Sequence, residues 1–147
     1  IFYLDSVTSP ICLMCPETEC GSWTDLGNGL AGTGDLEPVL AGAGALTSSA
    51  LTTLSLTDAL PNTSANLVIG VSTLNAPFRG GVMVPTVDIL LANLPTGPAG
   101  ELEFGFPWAV GLPSGVSLYW QYWIADGGGP FGFSASNGLQ STTPVGP

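Results

Sequence analysis

The 147-residue chain carries 11 acidic residues, a single basic residue and a net charge of −10, and it contains no histidine and no lysine. Serine–histidine catalysis, lysine Schiff-base chemistry and nucleic-acid binding are therefore excluded within this chain, because each needs the missing side chains. Hydrophobic residues make up 45% of the sequence, yet no apolar run approaches the ~20 residues that span a bilayer, so no membrane insertion is predicted.

The first predicted element is an N-terminal arm, residues 1–26. Its opening segment, IFYLDSVTS, places apolar side chains on both faces of an extended strand, which is typical of a strand buried on both sides. Such an arm either folds back on its own domain or adds to the sheet of a neighbouring subunit, and the sequence leaves both interpretations open. The two apolar sets are Ile1, Tyr3 and Val7 on one face and Phe2 and Leu4 on the other.

All three cysteines lie in this arm, in the segment CLMCPETEC, as Cys12, Cys15 and Cys20. A tetrahedral zinc site would need a fourth ligand, which without histidine must be a carboxylate or a cysteine of a neighbouring subunit. In an oxidising compartment the favoured state is one short-range disulfide, with a third thiol that is buried or bonded between chains. The spacing leaves the pairing open, and no metal or other cofactor is predicted.

The chain contains 21 glycines and 13 prolines, and beyond the arm their dense turn signals separate short apolar runs with no sustained helical period. A glycine-rich segment, 27–32, is expected to act as a flexible hinge. The sequence therefore predicts an all-β fold: a single antiparallel β-sandwich of about seven strands, Ig-like or jelly-roll-like, over residues 27–147. The predicted strands are 35–44, 51–59, 66–74, 84–94, 101–109, 116–126 and 131–143.

In the run VSLYWQYWIAD (116–126) the side chains of successive residues point to opposite faces of the predicted strand, one of them the predicted core face. The face opposite the core carries Tyr119 and Trp123, a candidate ligand or interface face. These two rings either pack under the arm or a neighbour, or form an exposed platform on which a sugar ring stacks. The predicted core face comprises Val116, Leu118, Trp120, Tyr122 and Ile124.

Glu101 and Glu103 share one face of a predicted strand at positions i and i+2, a geometry that two catalytic carboxylates could use. They have no acid or base partner elsewhere in the sequence, so they are interpreted as solvated edge charges. No Asp-x-Asp-x-Asp-Gly run is present to hold calcium. The sequence therefore predicts no catalytic residue and no metal site, and the chain is expected not to be an enzyme.

Four distinctive segments follow one another along the chain: LPN (60–62), NAPFRGG (75–81), LPSGVSLYWQYWIAD (112–126) and GFSASNGLQSTTP (132–144). In this order they resemble a little-characterised extracellular β-sandwich domain that is common near the C-termini of large secreted proteins of environmental bacteria. The resemblance covers roughly residues 27–144. It implies a secreted, non-catalytic structural or adhesive module, and it transfers no catalytic residues.

These features together predict an extracellular or cell-surface location and self-association. The chain starts without an initiating methionine, as a mature secreted chain does, and its weakly charged exterior is prone to associate. The expected function is a structural subunit of a homopolymeric filament or surface fibre, assembled head-to-tail by strand addition of the arm. The alternative is a monomeric secreted binding or adhesion module that recognises glycans through the aromatic face.

Overall fold

A computed structural model describes residues 21–144 of the protein. The prediction of an all-β chain is confirmed: this part contains antiparallel strands, one short 3-10 turn at Thr33–Asp35 and no α-helix. The strands are β1 (Ser22–Gly27), β2 (Val39–Ala43), β3 (Leu51–Thr57), β4 (Ser64–Gly70), β5 (Thr73–Phe78), β6 (Gly81–Pro85), β7 (Ile89–Pro95), β8 (Leu102–Pro107), β9 (Ser117–Ala125), β10 (Phe133–Ala135) and β11 (Gly138–Thr142).

The strands form two sheets and a separate hairpin. The main sheet has the order β1-β11-β9-β4-β7, with β10 also paired to β9, and the second sheet has the order β2-β3-β8. Strands β5 and β6 pair only with each other. All pairings are antiparallel, and the central strand β9 is bonded to β4 on one side and to β10 and β11 on the other.

The core lies between the two sheets, and β9 supplies its centre. Of the predicted core face of this strand, Trp120, Tyr122 and Ile124 are buried there and Leu118 packs against them, which confirms the alternation. The second sheet contributes its own buried leucines to the same core: Leu40, Leu54 and Leu56.

The opposite face of the main sheet carries a second, smaller apolar cluster. Val68 and Trp123 of the main sheet are buried there against Met83 of the hairpin. The hairpin therefore forms a third layer on this part of the sheet, which the sequence does not predict.

The described chain has eleven strands where the sequence predicts about seven. One reason is a corner after β4, where the predicted strands 66–74 and 84–94 are both interrupted. The amide of Val71 donates to Asp88, and the amide of Thr86 donates to the carbonyl of Ser72, at 2.9 Å each. Gly70 stands at this corner because a Cβ there would lie 2.2 Å from the carbonyl oxygen of Thr86. The chain thus leaves the main sheet, forms the hairpin and returns as β7.

The boundary between arm and domain also differs from the prediction. All but the last residue of β1 lies in the segment predicted as the arm, yet the strand pairs with β11 from Ser22 opposite Thr142 onward. The indole of Trp23 donates to the carbonyl of Gly44 at 3.1 Å and anchors the strand to the end of β2. The sandwich therefore includes Ser22, and residues 1–20, with the predicted assembly segment and all three cysteines, lie outside the described residues.

The glycine-rich segment 27–32 is not a free hinge. Leu30 exchanges two backbone hydrogen bonds with Ala135, at 2.9 and 3.1 Å. Gly32 lies against the Asp126 carboxylate, where a Cβ would be 2.1 Å from an oxygen. The expectation of a flexible joint at this position is wrong, because the glycines permit close packing against the main sheet.

The buried phenol of Tyr122 is expected to destabilise the fold at alkaline pH. Its side chain is fully buried, its hydroxyl has no hydrogen-bond partner among residues 21–144, and burial raises its pKa to about 12. Between pH ~10 and ~12 the unfolded chain releases the phenolic proton while the folded chain keeps it. The free energy of unfolding should therefore fall with rising pH in this window, by at most about 2–3 kcal/mol.

Urea denaturation at pH 7 and pH 11 checks this expectation. Tyr122→Phe should remove the alkaline loss and leave stability at pH 7 unchanged or higher, because it deletes an unpaired buried hydroxyl. Tyr119→Phe is the matched control and should retain the loss. Equal pH dependence in the wild type and in Tyr122→Phe would contradict the assignment.

Candidate assembly edge

The predicted aromatic platform does not exist as an exposed surface. Trp123 is only 3% exposed, and the ring of Phe78 from the hairpin meets it edge-on with the centroids 4.9 Å apart. Its indole N–H donates to Gln121 at 3.0 Å. Tyr119, on the same strand face, is half-buried. A sugar ring cannot stack on Trp123 in this arrangement, because the hairpin of the same chain covers the ring.

The two carboxylates considered as catalytic candidates make only local hydrogen bonds. Glu101 and Glu103 are exposed; Glu101 accepts a hydrogen bond from the amide of Ala99 at 2.9 Å, and Glu103 lies 3.4 Å from the hydroxyl of Ser55. These partners are neutral groups of neighbouring turns and strands. The pair therefore offers no arrangement for acid–base chemistry.

Asp126 is a buried carboxylate that holds a loop. It accepts hydrogen bonds from the amide and hydroxyl of Thr33, at 3.0 and 2.5 Å, and from the amide of Gly128 at 2.9 Å. Burial alone would raise its pKa, but these hydrogen bonds outweigh burial and the pKa is lowered. The Asp126 carboxylate therefore holds the segment around Thr33 against the end of β9.

Two buried amides that the sequence analysis missed join the layers. Gln121 accepts from the amide of Val84 at 3.0 Å and donates to the carbonyls of Val82 and Ser136, so it ties the hairpin to the main sheet. Asn137 accepts from the amide of Leu40 at 2.7 Å and donates to its carbonyl, so it ties the second sheet to the main sheet. In the sequence, Gln121 stands out as the only amide side chain among the aromatic residues of β9, which is the pattern that could have indicated its buried role.

The edge strand β7 carries exposed apolar side chains. Within the described residues its outer edge has no partner strand. Ile89 and Leu90 at its start are 53% and 54% exposed. The strand contains no charged residue, and its proline, Pro95, stands only at the end. An unpaired apolar edge of this kind is a ready template for another strand.

The other sheet edges carry the features that protect edges from association. Strand β1 contains Asp25, and β8 contains Glu103 and ends in Pro107. Strand β2 is preceded by Glu37 and Pro38. Charged residues and prolines at an edge oppose pairing with another chain.

Strand β7 is also preceded by Asp88 and ends at Pro95, so only residues 89–94 are free of these features. Strand β2 likewise contains no charged residue, but the amide and carbonyl of its Leu40 are bonded to the Asn137 side chain.

Apolar surface flanks β7 on both faces. Leu91 lies opposite Leu67 and faces the main core, together with the half-buried Leu94. Leu90 lies opposite Val68 and therefore faces the hairpin side. A strand added at this edge would find apolar neighbours above and below the sheet.

On the hairpin side, Leu90 borders an open pocket of about 380 Å³. Its walls are predominantly apolar, and Arg79, the only basic residue of the chain, lies in the turn between β5 and β6 at its rim. The guanidinium lies 4.5 Å from the ring centre of Phe133 and 5.2 Å from that of Phe78. No carboxylate within residues 21–144 forms an ion pair with it. The remaining apolar walls are Val68, Met83, Val87 and Trp123.

Comparisons with known proteins identify no relative: no protein-family model, no curated protein and no solved structure matches the chain significantly. Within the described part, no cluster of three cysteine, aspartate or glutamate side chains could hold a metal ion. No helix there has the length and hydrophobicity to cross a membrane.

Proposed function

We propose that the protein is a non-catalytic structural subunit of an extracellular homopolymeric filament or surface fibre, in which the N-terminal arm of one subunit adds as a strand to the next. The observation that carries the proposal is the apolar, uncharged strand β7, whose outer edge has no partner among residues 21–144. Main-chain hydrogen bonds along such an edge supply affinity, and alternate side chains supply specificity.

The positions of the added strand, which is the arm, and of the edge that would receive it, β7, favour a linear assembly. The arm leads into β1, at one end of the main sheet, and β7 is at the other end, four strand spacings or ~19 Å away. A contact between the arm of one subunit and β7 of another is therefore heterologous. A heterologous contact builds a filament unless its rotation closes a ring.

The composition supports an extracellular polymer with itself as partner. Only 8% of the residues of the chain are charged, so much of the surface is uncharged and available for contacts between copies, against the mutual repulsion of a net charge of −10. The three arm cysteines would be available to link neighbours in an oxidising compartment. The resemblance to secreted bacterial β-sandwich domains points the same way, whereas the burial of Trp123 weighs against the glycan-binding alternative.

Two variants should abolish filaments without unfolding the subunit. Deletion of residues 1–9 removes the donor but none of the eleven strands. Leu90→Lys adds an edge charge at a 54% exposed position and should block the acceptor. Negative-stain electron microscopy should show filaments for the wild type, and gel filtration with circular dichroism should show folded monomers for both variants.

Val110→Lys is the matched control, because Val110 is 75% exposed and lies outside the strands. It should assemble as the wild type does. Uniform small particles from the wild-type protein would overturn the proposed function. An unfolded deletion variant would instead place the arm in the core of its own subunit.

A further inference from the structure

The pocket between the hairpin and the main sheet has the size and lining of a small-molecule site. Its volume of about 380 Å³ lies within the range of roughly 300–1,000 Å³ that is typical of such sites. Most of its lining is apolar, and two of the lining residues, Val68 and Trp123, are only 3% exposed. None of the described residues that line it is acidic. A ligand would therefore enter a preformed apolar cleft.

The pocket crosses the main sheet from β10 to β7. Phe133 of β10 lines one end and Leu90 of β7 lines the other, with Trp123 of β9 and Val68 of β4 between them. The two outer strands are three strand spacings apart, or ~14 Å. A linear chain of about eight to ten carbon atoms spans a comparable length, given C–C bonds of ~1.5 Å.

A cation stands at the β10 end of this pocket. Arg79 is exposed, its guanidinium lies over the ring of Phe133, and it has no ion pair within residues 21–144. Arg79 and Gly80 form the hairpin turn with φ of +49° and +86°, a conformation in which asparagine rather than arginine is preferred at the first position. The turn itself therefore does not explain the positive charge. A planar guanidinium matches a carboxylate with two parallel hydrogen bonds.

The rest of the lining offers no second group for polar recognition. Asn66 is its only other polar side chain, and the backbone already uses it. Its amide nitrogen donates to the carbonyl of Trp123 at 3.2 Å, and its oxygen accepts from the amide of Asn93 at 3.1 Å. The far end is apolar, because Val87 and Leu90 lie there, each 54% exposed. The pocket is thus polar at one end and apolar along the remainder.

The net charge of −10 does not prevent an anion from reaching Arg79. The acidic residue nearest to the lining along the chain is Asp88, next to Val87 at the opposite end. It accepts hydrogen bonds from the hydroxyl of Thr86 at 2.6 Å and from the amide of Val71 at 2.9 Å. Carboxylates further away are screened, since the Debye length is ~8 Å at physiological ionic strength.

We propose that this pocket binds an aliphatic carboxylate of about eight to ten carbon atoms, with its head group on Arg79 and its chain directed past Trp123 toward Leu90. Burial of the chain supplies affinity, and the guanidinium selects an anionic head group over a neutral one. The site lies within one subunit, so this inference goes beyond the proposed filament function and does not depend on it.

Isothermal titration calorimetry of the full chain with octanoate and with octan-1-ol tests the site. Both probes should bind the wild type at one site per chain, octanoate more tightly. Arg79→Asn keeps the turn, because asparagine tolerates positive φ, and should weaken octanoate about tenfold and octan-1-ol less than about twofold. Val87→Trp should fill the apolar end and abolish binding of both probes. Circular dichroism verifies that each variant is folded.

Val110→Trp is the matched control, because it adds the same ring at a 75% exposed position outside the pocket, and it should bind both probes as the wild type does. Absence of saturable octanoate binding by the wild type would overturn the site. Equal effects of Arg79→Asn on the two probes would overturn the role of the guanidinium and with it the carboxylate ligand. Unchanged binding by Val87→Trp would place the ligand elsewhere. Each of these results leaves the filament proposal standing, and absence of filaments leaves this site standing.

Discussion

Replacing Trp120 with alanine should lower the free energy of unfolding by about 3–5 kcal/mol. Trp120 is 3% exposed, and its ring lies 6.1 Å from that of Phe106 and 6.3 Å from that of Trp108, so truncation leaves a large cavity between the two sheets. The hydroxyl of Ser141, which accepts from the indole at 2.9 Å, would lose this partner. For a domain whose total stability is of the order of 5–15 kcal/mol, the variant is expected to be marginal.

Urea denaturation followed by circular dichroism measures this loss. Phe131→Ala is the matched aromatic control, because Phe131 is 67% exposed, and it should change stability by less than about 0.5 kcal/mol. A loss below about 1 kcal/mol for Trp120→Ala would contradict the central position of this ring in the core.

Gln121→Leu should have the second largest effect, again about 3–5 kcal/mol, through lost hydrogen bonds rather than lost volume. The buried side chain accepts hydrogen bonds from the Val84 amide and from the Trp123 indole, at 3.0 Å each. Leucine of similar size would leave both donors unpaired in an apolar layer, at a cost of about 1–3 kcal/mol each. The carbonyls of Val82 and Ser136 would also lose their donor.

Gln140→Leu is the control for this substitution. Gln140 is half-buried and donates to the hydroxyls of Ser117 and Thr142, which solvent can replace, so its loss should cost less than about 1 kcal/mol. Hydrogen exchange gives a second readout: protection of the β6 amides should fall in Gln121→Leu and persist in Gln140→Leu. Unchanged exchange in β6 would show that Gln121 does not hold the hairpin.

The layered arrangement relates these two residues to the assembly edge. Trp120 supports the core face of the main sheet, beside which Leu91 and Leu94 lie on β7. Gln121 holds the hairpin, whose turn positions Arg79 at the pocket. Trp120→Ala and Gln121→Leu should therefore also weaken assembly indirectly. For both variants the free energy of unfolding is measured before filament formation is compared with that of the wild type.

The sequence by itself determined the all-β class and the inward face of β9, because alternation of side chains is a property of a single extended strand. It also determined one end of β7: the predicted strand 84–94 stops beside Pro95, where β7 terminates and where proline withholds a backbone donor. These features depend on neighbours along the chain. They can be derived without knowing which strands pair.

Only the tertiary structure decided which edges remain open and what covers Trp123. Ser22 pairs with Thr142, 120 positions away, and this pairing moves β1 from the arm into the sheet. The corner at Gly70 divides two predicted strands and folds the hairpin over Trp123. Edges, covers and pockets arise from contacts between distant segments, whose choice depends on the packing of the whole chain rather than on any local pattern.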